Sequence, residues 1–465
     1  MENWIASEFT SINLKDERLN KRAKIILDKL GHAPARTIPQ AFRTWKDIKA
    51  CYRFFDNPAV TDNNILKPHM EKTIERIKNE PVVLLPTDNS ILDYTPKKAM
   101  KGKGEVCHKR DGIFLHASLA VTPERLSLGV VDAKLWIRGV DYISQTEAHR
   151  DDLPIEEKES YRWLEGYKKS CEIARECPNT QIIYITDREG DIIELLGEAI
   201  KEKKSGKCAD IIIRSQHDRQ LDEKDPDGTL NKPYKKLIKT LKNTPALGEL
   251  EFVIPPSQGK KGRTVKQQIK ASSFTFRTKK YNGNPTCKVT INVVMAIEEN
   301  PPAGESPLCW IFHTTMSINT FAEVRKVIEY YLCRWEVETF FKVLKSGCKI
   351  EERQLESTER MKPLIALFLI LSWRIIYVMM LGRICPEMSS GDIFCEAEWK
   401  SVYKILNIKE KIPENPPTLN EFILMIAQLG GYVGGKKAPP PGVKVMWRGM
   451  ARMVDFAIAW EAFGK

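Results

Sequence analysis

The chain has 465 residues, a length that excludes a single ordinary hydrophobic core and predicts two to four domains. Hydrophobic residues make up 42% and charged residues 29%, which is typical of a globular protein. Lysine and arginine outnumber aspartate and glutamate by 73 to 61, so the net charge is +12. This excess favours a polyanionic partner such as nucleic acid, although a merely soluble basic protein has the same composition.

The eleven cysteines and the apolar segments narrow the class further. No two cysteines form a C-x-x-C pair and none has a histidine at zinc-finger spacing, so neither a structural zinc site nor a redox motif is predicted. The N-terminus has no basic start or apolar run, which predicts an intracellular protein with reduced cysteines. The longest apolar run, Leu364 to Trp373, is far shorter than the ~20 residues of a bilayer span and predicts a buried core helix.

Residues 1–75 have helical patterning. Phe42, Trp45, Ile48, Tyr52 and Phe55 recur at helical spacing, and basic side chains crowd residues 18–24. A small helical domain with basic faces is predicted; an ordinary solvated face is the alternative.

From residue 81 the hydrophobic pattern changes from one typical of helices to one that is typical mainly of β-strands. Three strands, a helix, a strand, a helix and a further strand are predicted in that order from the segments PVVLLPTD, IFLHASLAV, LSLGVVDAKLWI, IEEKESYRWLEGYKKSCEIA, TQIIYITD, GDIIELLGEAIKEK and ADIIIRS. This order is the one that a ribonuclease-H-like fold requires. Asp88 would close the first strand and Asp187 the fourth, and the ends of these two strands lie side by side in that fold.

In residues 217–318 the sequence no longer alternates between helix-like and strand-like segments. Short alternating segments broken by proline and glycine predict an antiparallel β insertion. Its basic stretches at 260–270 and 277–280 suit phosphate contacts, and equally a solvated strand edge protected by lysine.

Regular helix is predicted to resume at Phe321 and to continue to residue 347. An apolar stripe at helical spacing comprises Val324, Ile328, Leu332 and Trp335. At ~100° per residue, four polar side chains fall within about 60° of one another beside it, namely Tyr331, Arg334, Glu338 and Lys345. From this segment alone, routine charge pairs on a helix are the better interpretation.

Carboxylates from three separate elements suit one particular chemistry. Asp88, Asp187 and Glu338 would supply the hard oxygen ligands that two magnesium ions need for an in-line phosphodiester displacement. Arg334 would bind phosphate by its planar fork and Lys345 as a point charge. Tyr331 would donate a hydrogen bond to a phosphate or simply pack.

The motif Tyr331-x-x-Arg334-x-x-x-Glu338-x-x-x-x-x-x-Lys345 resembles the Y-R-E-K signature of the DDE transposases of the insertion-sequence-four group, in particular the transposon-five type. The resemblance spans most of the chain and includes the segments CYRFFDNPAV, LLPTD, EKESYRWL, ITDREGDI, ENPPAGESPLCW and YYLCRWEVETFFK.

The resemblance implies five segments: a helical DNA-end-binding domain at 1–75, a ribonuclease-H-like core at 76–216 and 319–383, a β-rich insertion at 217–318, and a helical dimerisation region at 384–465. It implies a homodimer that binds double-stranded DNA in a synaptic complex. This DNA comprises the transposon terminal inverted repeats and the target DNA. Two Mg²⁺ ions are expected, with Mn²⁺ able to substitute, and neither a nucleotide cofactor nor a membrane. A bacterial, nucleoid-associated location is expected.

Two further residues take roles from the resemblance. Trp310 resembles the tryptophan that stacks on a flipped base when the transposon end forms a hairpin; the alternative is a core residue that opens a strand. Arg214 resembles an arginine near the hairpin, although the next basic position of the family is Gln216 here. Glu189 and Asp191 are expected to face away from the site, with Asp191 a first-turn helix charge.

The resemblance therefore implies cut-and-paste transposition, in which cleavage exposes a 3′-hydroxyl, a hairpin forms and opens, and the ends are transferred into target DNA. Two alternatives remain: a catalytically silent descendant that only binds DNA ends, and a ribonuclease-H-like nuclease without strand transfer.

Overall fold

The structure is a computed structural model that describes residues 4–32, 34–42, 44–138, 153–222, 235–254, 262–276, 288–435 and 438–463. Its strands are β1 Val82–Asp93, β2 Gly104–Cys107, β3 Arg110–Val121, β4 Ser127–Trp136, β5 Gln181–Thr186, β6 Asp210–Arg214, β7 Gly248–Ile254, β8 Arg263–Phe276, β9 Val289–Glu298 and β10 Cys309–Thr314. Its α-helices are α1 Trp4–Glu8, α2 Glu17–His32, α3 Ile38–Phe42, α4 Trp45–Phe55, α5 Asp62–Ile77, α6 Tyr161–Glu176, α7 Ile193–Ser205, α8 Leu237–Lys242, α9 Phe321–Leu332, α10 Trp335–Lys342, α11 Thr358–Ile384, α12 Glu396–Leu406, α13 Leu419–Leu429 and α14 Val443–Phe463.

The chain divides into two compact units. The first unit comprises the described residues of Met1–Ile77, Asn89–Gln145 and Glu336–Lys465, and the second unit those of Lys78–Asp88 and Thr146–Trp335. The chain passes between the units within β1, directly after Asp88, and within α10, directly after Trp335. Two of the predicted site residues, Asp88 and Glu338, are therefore at or near these crossings in the sequence.

The second unit contains a mixed sheet in the order β1-β5-β6-β10-β9-β8-β7. Strands β1, β5 and β6 are parallel, and β10 to β7 continue the sheet in antiparallel pairs. Helix α9 covers one face through an apolar cluster that includes Ile183, Ile212 and Phe312. Helix α6 packs against β5, where Tyr184 donates a hydrogen bond to the carbonyl oxygen of Trp163. The predicted ribonuclease-H-like class, a mixed sheet flanked by helices, is confirmed.

In the first unit, β3 lies between β2 and the end of β1, and β4 pairs with the other part of β3. Helices α5 and α11 pack on β4 and on each other. Helix α11 is long and apolar enough to cross a membrane by length and composition alone, and most of it is buried inside the protein. This is the arrangement of a core helix, as the apolar run from Leu364 predicted.

A buried histidine joins three elements of the first unit. The Nδ1 atom of His69, in α5, lies 2.7 Å from a carboxylate oxygen of Glu8, and its Nε2 accepts the backbone N–H of Val130 at 3.0 Å. Because Nε2 accepts a hydrogen bond, the ring is neutral and carries its proton on Nδ1. Burial lowers the pKa of His69 to about 3. Its ring centroid lies 4.7 Å from that of Trp373 in α11.

Three local expectations were wrong. Strand β1 does not end at Asp88 but runs to Asp93, because its last residues pair with β3. The basic loop 97–110 contains the short strand β2, and the β insertion contains the short helix α8. Of the insertion's basic stretches, residues 260–261 and 277–280 lie outside the described residues.

The helix predicted from Phe321 to residue 347 is interrupted. Helix α9 ends at Leu332, α10 begins at Trp335, and a π-helical turn, Val343–Gly347, follows. At the break, the N–H groups of Cys333 and Arg334 bond to carbonyl oxygens three residues earlier, which tightens the turn. The predicted apolar stripe ends with the break, and Trp335 is 54% exposed.

Candidate active site

Asp88 and Asp187 lie at matching positions of two neighbouring parallel strands. Pro86 of β1 pairs with Ile185 of β5, and the same register continued by two residues aligns the two aspartates. Asp187 follows the last residue of β5 with its backbone still extended. Paired positions of parallel strands point to the same face and lie about 4.8 Å apart across the sheet, so the two carboxylates share one face at one point of the sheet.

The local sequence explains why both side chains are available there. Residues 83–85 of β1 and 182–185 of β5 are buried aliphatic or aromatic runs, as expected for strands covered on both faces. The first polar residues after these runs are Thr87 and Thr186, both buried, and each is followed by an aspartate. The aspartates therefore come at the point where the buried part of each strand ends.

Asp187 also caps the turn that follows it. Its side chain accepts the backbone N–H of Glu189 at 2.9 Å, at the start of a 3₁₀ turn formed by Arg188–Gly190. A side chain at Gly190 would place its Cβ 2.2 Å from the hydroxyl oxygen of Thr186, so only glycine fits this close return of the chain. Burial raises the pKa of Asp187, partly opposed by the charges of nearby arginines.

Arg334 contacts the first aspartate. Its NH1 donates a hydrogen bond to Oδ2 of Asp88 at 2.9 Å, and the two side chains are only 8% and 16% exposed. Its charge also lowers the pKa of Asp187, against the larger effect of burial. The break in the helix after Leu332 precedes this arginine directly. The sequence did not predict this ion pair; the phosphate-binding role expected of Arg334 stays a prediction.

Tyr331 packs under the same site. It is 5% exposed, and its ring centroid lies 4.4 Å from that of Phe312. Its hydroxyl is buried and has no hydrogen-bond partner among the described residues. Burial raises the pKa of Tyr331, so the hydroxyl keeps its proton. The ring of Tyr331 packs in the core, and its role as a hydrogen-bond donor to phosphate stays a prediction.

Arg214 ends β6 on the other side of Asp187. Thr186 pairs with Ile213, so the register continued by one residue aligns Asp187 with Arg214, which pairs in turn with Phe312 of β10. The charge of Arg214 lowers the pKa values of both Asp187 and Tyr331, although burial has the larger, opposite effect on each. The second unit thus brings together Asp88, Asp187, Arg214, Tyr331 and Arg334.

Trp310 lies in β10, two residues before Phe312 and on the same face. It is half-buried, packs against the apolar cluster under α9, and stacks on Phe252 with ring centroids 5.6 Å apart and planes 19° from parallel. The core-residue interpretation of Trp310 accounts for this packing, and the half-exposed ring leaves the stacking interpretation open.

Glu338 and Lys345 belong to the first unit. Glu338 is in the first turn of α10. Two other side chains of this helix, Val337 and Phe340, are completely buried and hold it in the core. Lys345 lies in the π-helical turn, with Nζ 3.9 Å from Oε1 of Glu351. Burial lowers the pKa of Lys345. Turns of this kind are frequent at functional sites because they displace a side chain from the regular helical path.

Sequence reasoning missed the role of Asp191. The residue is not a first-turn helix charge, because α7 begins only at Ile193 and the carboxylate is buried. Instead it accepts hydrogen bonds from the backbone N–H groups of Gln216 and His217 and from Arg219. Its neighbour Glu189 is exposed and pairs with Arg162; that Glu189 faces away from the site stays a prediction.

The donors present fit a hard divalent cation. Asp88 and Asp187 offer carboxylate oxygens on one face, and the buried guanidinium at Asp88 indicates that this position attracts positive charge. In the described parts of the chain, no group of three or more His, Cys, Asp or Glu side chains is arranged to hold a metal ion.

Three family models match the chain. Transposase DNA-binding matches residues 1–60, Transposase DDE domain residues 205–373, and Transposase Tn5 dimerisation domain residues 370–461. Together they cover more than half of its length. The chain belongs to the DDE transposases. The dimerisation match places it in the Tn5 type, which is consistent with the insertion-sequence-four group.

The DDE domain match includes Glu338, Arg334 and Tyr331 but begins after both aspartates. The family consists of enzymes that depend on divalent metal ions. Among solved structures, the chain is similar to the cryo-EM structure of piggyBac transposase synaptic complex with hairpin DNA, with 12% sequence identity and a TM-score of 0.35. The alignment covers 78% of this chain and 66% of that chain, just under two thirds.

Proposed function

We propose that this DDE transposase is an active cut-and-paste enzyme that cleaves DNA at transposon ends and joins the ends to target DNA. The observation that supports this most directly is the alignment of Asp88 and Asp187 on neighbouring parallel strands, with Arg334 bonded to Asp88. Two carboxylates at one point of a sheet and a buried cation beside them suit the binding of metal ions and phosphate together.

Asp88, Asp187 and Glu338 would hold two Mg²⁺ ions, with Mn²⁺ able to substitute. These ions supply Lewis-acid stabilisation of the attacking and leaving oxygens of the phosphodiester. The protein fixes the ligands beforehand: β1 and β5 set the spacing of the aspartates, and the turn after Asp187 holds that carboxylate by its own hydrogen bond. Glu338, in the first turn of α10, would be the third ligand.

Arg334, Lys345, Tyr331 and Arg214 would bind phosphates around the scissile bond. The planar fork of Arg334 matches two phosphate oxygens, whereas Lys345 acts as a point charge on a mobile stem. The buried hydroxyl of Tyr331 keeps its proton and is available to donate a hydrogen bond. These groups would orient the phosphodiester for in-line attack, first by water and then by the exposed 3′-hydroxyl.

Trp310 would stabilise a base displaced from the duplex if the transposon end forms a hairpin. An aromatic ring contributes about 1–3 kcal/mol to base stacking, which helps to offset the cost of unstacking. The stack of Trp310 on Phe252 fixes the plane of the indole beforehand. Residues 1–60 would bind the terminal inverted repeats, and residues 370–461 would form the homodimer that holds two ends together.

The test uses the full chain, Mg²⁺, and DNA carrying the inverted repeats that flank the gene. We expect nicked and double-strand-cleaved ends, a hairpin product on denaturing gels, and joined products when target plasmid is added. Asp88→Asn, Asp187→Asn and Glu338→Gln should each abolish cleavage while leaving DNA binding within about threefold.

Three results would redirect the proposal. DNA binding without cleavage by the wild-type chain would support a silent end-binding descendant. Cleavage without joined products would support a ribonuclease-H-like nuclease. Cleavage that survives any of the three substitutions would remove that residue from the triad.

A further inference from the structure

Asp191 is a buried carboxylate that accepts hydrogen bonds from three groups in the second unit and lies close to a fourth. Its Oδ2 accepts the N–H groups of Gln216 at 2.7 Å and His217 at 3.1 Å. Its Oδ1 accepts a hydrogen bond from NH2 of Arg219 at 2.5 Å and lies 3.5 Å from Nε2 of His313. The same NH2 group donates to the backbone carbonyl of Asp191 at 2.8 Å. This carboxylate is therefore bonded from several directions at once.

These bonds connect three segments that carry predicted site residues. Asp191 ends the turn that begins at Asp187. Gln216 and His217 belong to the loop that directly follows Arg214. His313 lies in β10, the strand that also carries Trp310.

The chemistry of the pocket requires an ionised carboxylate. Burial alone would raise the pKa of Asp191, but His313 and Arg219 hold it below its usual range. Two backbone N–H groups and a guanidinium all donate hydrogen bonds to Asp191. Its side chain must therefore accept hydrogen bonds at both oxygens. An uncharged amide of the same shape would present donors of its own to at least one of these groups. The side chain is fully buried, so water does not replace a lost bond.

We propose that Asp191 is a positioning residue for the reaction: it fixes the loop after Arg214 to the turn after Asp187, and so sets the spacing of the phosphate-binding arginine and the metal-binding aspartate. This inference rests on the proposed function, since it assigns Asp191 a part in the same site. Asp191 touches neither DNA nor metal in this account, and its effect passes through the two segments that it joins.

The test compares Asp191→Asn with Glu189→Gln in the full chain. Glu189 lies in the same turn, but its side chain is 57% exposed, so its substitution is a matched control. For Asp191→Asn we expect a cooperative melt, amide hydrogen exchange at Gln216 and His217 at least tenfold faster, and kcat for end cleavage at least tenfold lower. The dissociation constant for end DNA should change less than threefold, since residues 1–60 are proposed to bind the end DNA. Glu189→Gln should keep kcat within twofold of the wild type.

A positioning role lowers kcat and leaves the affinity for DNA unchanged, whereas a merely structural role lowers both. If kcat, DNA affinity and the cooperativity of melting all fall together, Asp191 only holds the fold and the inference is overturned. It is also overturned if exchange becomes faster while kcat stays at the wild-type value.

A second variant covers the case in which Asp191→Asn does not fold. Arg219→Gln keeps the carboxylate and its backbone bonds and should lower kcat three- to tenfold; an unchanged kcat there overturns the inference. If both variants fold, the double variant should be no slower than Asp191→Asn, since the two residues act as one clamp.

A wild-type chain without any cleavage would contradict the proposed function, whereas equal cleavage by wild type and Asp191→Asn would contradict only this inference.

Discussion

Replacing Arg334 with alanine should destabilise the metal-free protein markedly and the metal-loaded protein much less. Removing one partner of a buried ion pair costs about 3–5 kcal/mol, because the other charge stays buried and loses its counter-ion. Asp88 is 16% exposed and Arg334 8%, so water screens the pair little, and we expect a loss of about 3 kcal/mol, the low end of that range. A divalent cation at Asp88 would replace the missing positive charge.

The measurement is urea unfolding of the full chain without DNA, once in EDTA and once in Mg²⁺. A ligand at a hundred times its dissociation constant adds about 2.7 kcal/mol to stability, enough to recover most of the loss in the Arg334→Ala variant. Wild-type protein should gain less, since Arg334 competes with the metal for Asp88. Mg²⁺ should therefore narrow the difference between the two proteins.

Arg325→Ala is the control, because Arg325 lies on α9 and pairs with Glu329 in the open, with 56% and 48% of the side chains exposed. Exposed pairs of this spacing contribute only about 0.3–0.5 kcal/mol. The reasoning is refuted if the two alanine variants lose the same stability in EDTA, or if Mg²⁺ stabilises wild type and Arg334→Ala equally.

Three further predictions concern other parts of the molecule. Trp310→Ala should lower hairpin formation about 5- to 150-fold, the equivalent of one lost base stack of about 1–3 kcal/mol, and leave the first nick unchanged; equal loss in both steps on gels would contradict it. The depressed pKa of His69 means that its contribution to stability is complete above pH 6.5 and falls, by about 1.4 kcal/mol per pH unit, as the pH drops toward 3. Urea midpoints of wild type and His69→Gln should show this difference in pH dependence, and parallel curves would refute it. Because burial raises the pKa of Asp187, Mg²⁺ affinity should begin to fall at a higher pH than protonation of an ordinary aspartate would cause. Calorimetric titration in which the affinity stays constant until the pH reaches the ordinary range of aspartate would contradict this.

The parts of the site on strands could be predicted from the sequence. Buried aliphatic runs followed by a threonine and an aspartate occur twice, and parallel pairing brings their ends together. What the pattern did not reveal is that β1 continues past Asp88. The polar run after Thr87 resembles the end of a strand, and only its pairing with β3, a distant segment, makes it continue.

The break between α9 and α10 could not be predicted. Neither proline nor glycine occurs between Phe321 and Lys345, so the local propensities favour one helix. The ion pair of Arg334 with Asp88, 246 residues away in the chain, is a tertiary contact that accompanies the departure from regular helix. Such a contact has no counterpart in local periodicity.

Asp191 illustrates a third limit of prediction from the sequence. The cluster Asp187, Glu189 and Asp191 offers three carboxylates within five residues, and the alternation of a strand end does not tell which one is buried. The partners of Asp191 come 25 and more residues later, from a loop and from β10. A pattern read within one segment therefore could identify the metal-binding candidate but not the residue that supports it.

The central claim, that Asp187 is a metal ligand in DNA cleavage, is tested most directly by Asp187→Cys assayed in Mg²⁺ and in Mn²⁺. Mg²⁺ strongly prefers oxygen ligands, whereas Mn²⁺ tolerates a thiolate better. The account predicts that Asp187→Cys is inactive in Mg²⁺ and regains at least tenfold in Mn²⁺, while Glu189→Cys behaves as wild type in both metals. Equal loss in the two metals, or full activity of Asp187→Cys in Mg²⁺, would contradict it.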